Sequence, residues 1–286
     1  MIPVLSFVTA GITLFVTLIL PAIVLLVLSR KWRLNHIPSA WFLGAAGFFI
    51  PQMLIRTRVL NSFAANPGFQ QFMENHFVLY CLILAFSAGF FELAGRYGVA
   101  KILKREPMTF RRSLAAGLGH GSIEAMILVG VTYINNLLYM VMIQSGSFEA
   151  VIAQSAAAGV DVSQLYAVQD ALLNTSPVMF LLAGYERLLT VICHVAMSLI
   201  VCWGVWRGRP GKSMVACLIF HTLLDCTPII QGLATPYLGN VISLNTAYIL
   251  IYAVLTVAAI LAVIIIKTIY KRWNEALQEA AYVETI

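Results

Sequence analysis

Long apolar runs alternate with short polar segments along almost the whole chain. Seven of these runs are long enough to cross the hydrocarbon core of a bilayer as α-helices, which takes about 20 residues each. They lie at approximately 3–29, 38–55, 77–98, 113–143, 178–205, 213–231 and 244–266. The pattern predicts an all-α, polytopic membrane helix bundle of about seven transmembrane helices, forming a single transmembrane domain over residues 1–286.

The segments around and between the runs add detail. The first run is too long for the core of a signal peptide and has no basic stretch before it, so we expect it to remain as a helix. The outer segment at about 144–177 contains Ala-rich and Gln-rich stretches. There we expect one surface helix near 148–173, bounded by Gly146 and Pro177.

Basic residues set the predicted orientation. Fourteen of the 18 follow the first, third, fifth or seventh run: Arg30, Lys31, Arg33, Lys101, Lys104, Arg105, Arg111, Arg112, Arg207, Arg209, Lys212, Lys267, Lys271 and Arg272. Loops rich in Lys and Arg stay in the cytoplasm. We therefore expect the N-terminus outside, the C-terminus inside, and a cytoplasmic tail at about 267–286.

Composition supports a membrane protein and argues against other classes. The chain is 60% hydrophobic and 10% charged, with a mean hydropathy of +0.88. Its net charge of +6 comes from clusters next to apolar runs, which is typical of membrane topology and not of nucleic-acid binding. The five cysteines lie inside apolar runs, so they indicate packing residues and neither disulfides nor a CxxC metal site. We expect a multi-pass protein of the cell membrane whose surroundings are lipid.

Ionisable residues inside the apolar runs are the main indication of function. They are Glu92, Arg96, His120, Glu124, Glu186, Arg187, His194, His221 and Asp225. Such groups are costly in a bilayer and usually face a bundle interior, where they take part in chemistry or transport. Three pairs are spaced i,i+4 and so share a helix face: Glu92 with Arg96, His120 with Glu124, and His221 with Asp225.

Counting residues from the predicted cytoplasmic ends gives the depth of these groups. At about 1.5 Å per residue, six of them fall roughly 9–18 Å deep. The six are Glu92, His120, Glu124, His194, His221 and Asp225. This predicts one polar layer in the inner half of the membrane, with Glu186 and Arg187 as a separate element nearer the outer surface.

These residue types are compatible with two kinds of hydrolytic chemistry. A carboxylate beside imidazoles can take a proton from water, while a second imidazole or an arginine stabilises the oxyanion. Alternatively, His120, His194 and His221 with Glu124 are a possible ligand set for a divalent metal, most plausibly zinc. The glycines that flank His120 allow close approach of either a substrate or a neighbouring helix.

At these residues the chain resembles the YhfC-type membrane peptidases, which are related to CAAX prenyl endopeptidases and PrsW-like intramembrane proteases. The resemblance runs through FELAGRY, GHGSIEA, YERLLTVICH and HTLLD. It implies that peptide hydrolysis is carried by Glu92 and Arg96 (the glutamate-plus-arginine motif), His194 and His221, Asp225, and His120 with Glu124 (the Gly-His-Gly element). CAAX-type enzymes commonly have two adjacent glutamates, whereas Phe91 precedes Glu92 here. Either Glu92 alone is the base, or Glu124 takes the second role.

The sequence thus predicts an intramembrane endopeptidase, either glutamic or metal-dependent, that cleaves membrane-embedded or membrane-associated peptide substrates. The alternative is a proton-coupled transporter, because buried His and carboxylate groups also form proton relays. We find no internal inverted repeat, a feature that many secondary transporters carry. The endopeptidase is therefore the favoured hypothesis.

Overall fold

A computed structural model describes residues 1–32 and 36–284 of the chain. In chain order its helices are α1 (Val4–Trp32), α2 (Ile37–Ala64), α3 (Pro67–Asn75), α4 (Phe77–Leu103), α5 (Phe110–Ser145), α6 (Ser147–Ala157), α7 (Ser163–Asn174), α8 (Pro177–Trp206), α9 (Pro210–Leu224), α10 (Thr227–Gly232) and α11 (Leu244–Glu284). The described part of the chain contains no strand, and 88% is helical. Seven segments in it are long and apolar enough to cross a membrane, so the predicted all-α multi-pass bundle is confirmed.

Several helices extend beyond the predicted apolar runs. The second run was expected to end at 55 but α2 continues to Ala64, and α11 continues well past the predicted end at 266. Hydropathy marks only the apolar part of a helix, whereas backbone hydrogen bonding continues into amphipathic sequence. The orientation of the termini stays a prediction, and Arg33 and Ile286 lie outside the described residues.

The predicted single surface helix over 148–173 is wrong, because two shorter helices, α6 and α7, replace it. The chain turns at Gly159, whose φ of +75° is easily adopted only by glycine. Asp161 Oδ1 then accepts a hydrogen bond of 2.9 Å from the backbone N–H of Ser163 at the start of α7. This bond, together with that from the Ser163 hydroxyl, holds the pKa of the exposed Asp161 carboxyl below its usual value.

The helices form two compact units. The first consists of Met1–Val24 and Glu124–Leu188, and the second of Leu25–Ile123 and Leu189–Ile286. In the first unit the carbonyl of Phe180 accepts hydrogen bonds from Thr13 Oγ1 (2.7 Å) and Tyr133 Oη (3.1 Å), which join α8 to α1 and α5.

The second unit has its core around residues 189–206 of α8. Cys193, Ala196, Met197 and Leu199 are almost inaccessible to solvent there. At its far end, Trp206 stacks on Trp273 of α11, with ring centroids 4.8 Å apart. We expected a tail from about residue 267. Instead α11 continues through this segment, and its Trp273 packs against α8.

Glycines bring the helices of the second unit into backbone contact. A Cβ added to Gly119 of α5 would lie 1.9 Å from the carbonyl oxygen of Trp41 in α2. A Cβ on Gly121 would lie 3.0 Å from the Cβ of His194 in α8. The glycines on both sides of His120 therefore serve helix packing, one of the two roles that their sequence allowed.

Candidate metal centre

Five ionisable side chains from four helices meet in the core of the second unit. They are Glu92 and Arg96 of α4, His120 of α5, His194 of α8 and His221 of α9, and we call them the Glu92 cluster. None is more than 3% exposed. Charged groups buried this far from water require close partners of opposite charge or hydrogen-bonding capacity.

The sequence places these side chains on facing surfaces of closely packed helices. Glu92 and Arg96 share one face of α4 because they are one helical turn apart. Gly89 lies one turn before Glu92, and a Cβ there would be only 3.2 Å from Oγ1 of Thr222, the residue after His221 on α9. Since Gly89 has no side chain, α9 can approach α4 closely enough for His221 to reach Glu92.

One carboxylate oxygen, Glu92 Oε2, is the centre of the cluster. The nearest nitrogens are His221 Nε2 at 2.8 Å, His120 Nε2 at 3.0 Å and Arg96 Nη2 at 3.1 Å. His194 Nδ1 follows at 3.7 Å. The predicted pairing of Glu92 with Arg96 is therefore seen, and three histidines from three other helices surround the same oxygen.

The imidazole rings also contact one another and an aromatic neighbour. His120 and His194 are nearly parallel, with centroids 5.4 Å apart and planes at 26°. Phe48 of α2 lies edge-on to His120 at 5.4 Å. Phe48 was not a candidate from the sequence, because its apolar run contains no ionisable residue near that position.

Glu92, His194 and His221 have the geometry of a potential metal site. Each offers one ligand atom, and the three atoms lie within 4.8 Å of one another. In the described part of the chain this is the one group of three or more acidic, His or Cys side chains with that property. Two imidazoles and a carboxylate are a known ligand set for catalytic zinc, which leaves a further position open.

The surroundings of the histidines fit the same interpretation. Asp225, directly after α9, has its Oδ2 3.3 Å from His221 Nδ1, close but without the alignment of a hydrogen bond. A carboxylate at the second nitrogen of a metal-binding histidine fixes the ring and its tautomer. His120 Nδ1 is buried and has no hydrogen-bond partner. The cluster therefore contains a ring nitrogen that could exchange a proton with a bound molecule.

Glu124 was also a candidate catalytic residue and metal ligand from the sequence. It belongs to the first unit. There its Oε1 accepts a hydrogen bond of 3.0 Å from Arg187 Nη1 of α8. Arg187 also binds the neighbouring Glu186. The contact described for Glu124 is thus an ion pair with an arginine, while His120, one turn earlier on α5, contacts Glu92.

Comparison with known proteins agrees with this arrangement. The family described as YhfC intramembrane metalloprotease matches residues 16–243. A relative, the uncharacterized membrane protein YhfC of Bacillus subtilis (strain 168), is 28% identical over 194 residues, which are 67% of this chain and 72% of that protein. No solved structure shows a significant match. With a match over most of its length, the chain belongs to the YhfC intramembrane metalloprotease family.

Proposed function

We propose that this chain is a zinc-dependent intramembrane endopeptidase that hydrolyses peptide bonds of membrane-embedded substrates. The observation that carries the proposal is the set of three ligand atoms from Glu92, His194 and His221, buried within a bundle of membrane-spanning helices. Nitrogen and carboxylate ligands suit zinc, copper, iron or nickel better than magnesium or calcium. Zinc is the most plausible of these because it requires no redox chemistry for hydrolysis.

In this proposal the three ligands hold the metal and their neighbours fix them in place. Asp225 orients His221 from its far side, at 3.3 Å from Nδ1. When bound, the metal would supply Lewis-acid polarisation of a water or of the scissile carbonyl. Burial of the ligands would keep bulk water away from the reacting groups.

Proton transfer falls to the residues that do not hold the metal. His120 is the favoured general acid and base, because its Nδ1 has no partner and its Nε2 contacts Glu92. The alternative assignment makes Glu92 the base and the three histidines the ligands. In both assignments Arg96 balances the charge of the buried Glu92 carboxylate, to which it donates a hydrogen bond.

Metal content and cleavage, measured on the same purified protein, test the proposal. We expect about one zinc per chain by elemental analysis in the wild type, and loss of zinc in His221→Ala. Cleavage of transmembrane reporter peptides should stop with a chelator and return with added zinc. Glu92→Gln and His221→Ala should each lower the cleavage rate by about 10²- to 10⁴-fold while the protein remains folded in the membrane.

Lys271→Ala is the control, since Lys271 is highly exposed on α11 and should leave zinc and cleavage unchanged. Cleavage by a wild type that contains no metal would contradict zinc dependence and support a glutamic mechanism. If the zinc-loaded wild type cleaves no membrane peptide but carries protons across vesicles, the transporter alternative replaces the endopeptidase.

A further inference from the structure

Arg96 lies between two of the candidate metal ligands. Its Nη2 is 3.1 Å from Glu92 Oε2 and 2.5 Å from His194 Nδ1, while these two atoms are 3.7 Å apart. The guanidinium nitrogen is thus closer to each ligand atom than the two are to each other. It lies in the space that a metal held jointly by Glu92 Oε2 and His194 Nδ1 would need.

The hydrogen bond between Arg96 and His194 also uses the electron pair that a metal would require. A guanidinium has only N–H donors and no acceptor, so His194 Nδ1 must be the acceptor in this contact. The nitrogen has a single lone pair in the ring plane, which can serve one partner at a time. A bound dication would in addition be repelled by the guanidinium charge at such short range in a buried site.

The guanidinium is held at this position by one nitrogen only. Nε and Nη1 of Arg96 are buried and have no hydrogen-bond partner. Buried N–H donors without acceptors raise the free energy of the conformation that contains them. If the side chain moved to a position where Nε or Nη1 donates a hydrogen bond, the free energy gained would offset part of the cost of losing its contacts with Glu92 and His194.

We propose, building on the metalloprotease function above, that Arg96 is a positioning residue that competes with the metal. Its guanidinium holds Glu92 and His194 together in the metal-free protein, and Nη2 must withdraw before the two side chains can bind a metal jointly. Arg96 thereby keeps the buried Glu92 carboxylate compensated when no metal is present, at the expense of metal affinity.

The sign of a change in zinc affinity tests this inference. Arg96→Gln keeps an N–H donor but removes the charge, and Arg96→Ala removes both. We expect each variant to bind zinc roughly 10-fold or more tightly than the wild type in a competition assay with a fluorescent chelator, because a competing cation is removed. We also expect a lower melting temperature without zinc, and a larger rise in melting temperature on adding it.

If Arg96 only supported the ligands, its substitution would weaken zinc binding, since loss of such a neighbour typically lowers metal affinity about 10- to 100-fold. Weaker binding in Arg96→Gln would therefore overturn the inference. Arg96→Lys should stay close to the wild type because it keeps the cation. Lys101→Ala, which removes an exposed charge from the same helix, should leave the affinity unchanged.

The outcomes separate this inference from the proposed function. Zinc bound by the wild type and more weakly by Arg96→Gln refutes only the role of Arg96. Zinc bound by neither protein refutes both proposals. If the variants do not fold, a structure of the zinc-loaded wild type decides: we expect Arg96 Nη2 to lie beyond hydrogen-bond distance of His194 Nδ1, and a retained contact overturns the inference.

Discussion

Glu92 determines the electrostatics of its surroundings, because one of its oxygens is within 3.1 Å of nitrogens from Arg96, His120 and His221. A buried carboxylate is costly unless such partners compensate it. The histidine partners come from other helices, so each helix must hold its side chain to within about 0.5 Å. Residues behind the cluster that fix these side chains are therefore expected to matter as much as the ligands.

Asp225 is the first such residue to test. We expect Asp225→Asn to weaken zinc binding by about 10- to 100-fold, because the amide removes the negative charge next to His221 Nδ1. A zinc competition assay on purified protein measures the change. Asp170→Asn, an exposed site on α7, is the matched control and should have no effect. Equal zinc affinity in both variants would exclude Asp225 as a support for His221.

Glu124 and Arg187 form a buried ion pair in the first unit, with both side chains only 12% exposed. Glu124→Gln should lower the free energy of unfolding by about 1–3 kcal/mol, because Arg187 loses one of its two carboxylate partners and keeps Glu186. The double variant Glu124→Gln with Arg187→Gln should recover part of this loss. Chemical unfolding in detergent measures both. If the loss in the double variant equals the sum of the losses in Glu124→Gln and Arg187→Gln measured singly, the pair is not coupled.

At the scale of helices, small residues determine which faces can meet. Gly119 places α5 directly against the backbone of α2. Gly89 leaves room for α9 to pack closely against α4. These contacts position histidines that are distant in sequence. The geometry of the Glu92 cluster is therefore set by helix packing more than by the polar residues themselves.

Gly119→Ala tests the contribution of this packing. The new Cβ would lie 1.9 Å from the Trp41 carbonyl oxygen, a backbone atom, so α2 and α5 would have to separate. We expect the free energy of unfolding to fall by about 1–3 kcal/mol, the usual effect of overpacking. Gly98→Ala is the control, because its Cβ would meet nothing within 4 Å and alanine favours the helix. Equal stability of the two variants would contradict this account of the α2–α5 contact.

For the whole molecule, the sequence predicted the architecture well and the site in part. Apolar runs identify membrane helices because the bilayer requires all backbone groups to be paired internally. The i,i+4 spacing correctly placed Arg96 beside Glu92, since both lie on one helix. It did not reveal that histidines from three other helices surround Glu92, because contacts between helices depend on packing residues such as Gly119.

The orientation of the molecule in the membrane stays a prediction from its basic residues. Arg56 follows the second apolar run and so falls on the predicted outer side, where its Nε and Nη2 donate hydrogen bonds to Ser87 Oγ and the Leu84 carbonyl of α4. The fourteen basic residues on the predicted cytoplasmic side outnumber those on the other side. The N-terminus is therefore still expected outside.

Reporter fusions measure this orientation directly. A reporter inserted near Ser155 in α6 should be external, and one fused after Ile286, which lies outside the described residues, should be cytoplasmic. An insertion near Gly208, in the basic loop before α9, is a second cytoplasmic point and a control for disturbed C-terminal fusions. If Ser155 reports inside and both other sites report outside, the orientation is inverted, and the Glu92 cluster lies towards the outer face of the membrane. Substrates would then have to be cleaved nearer the outside than the sequence implies.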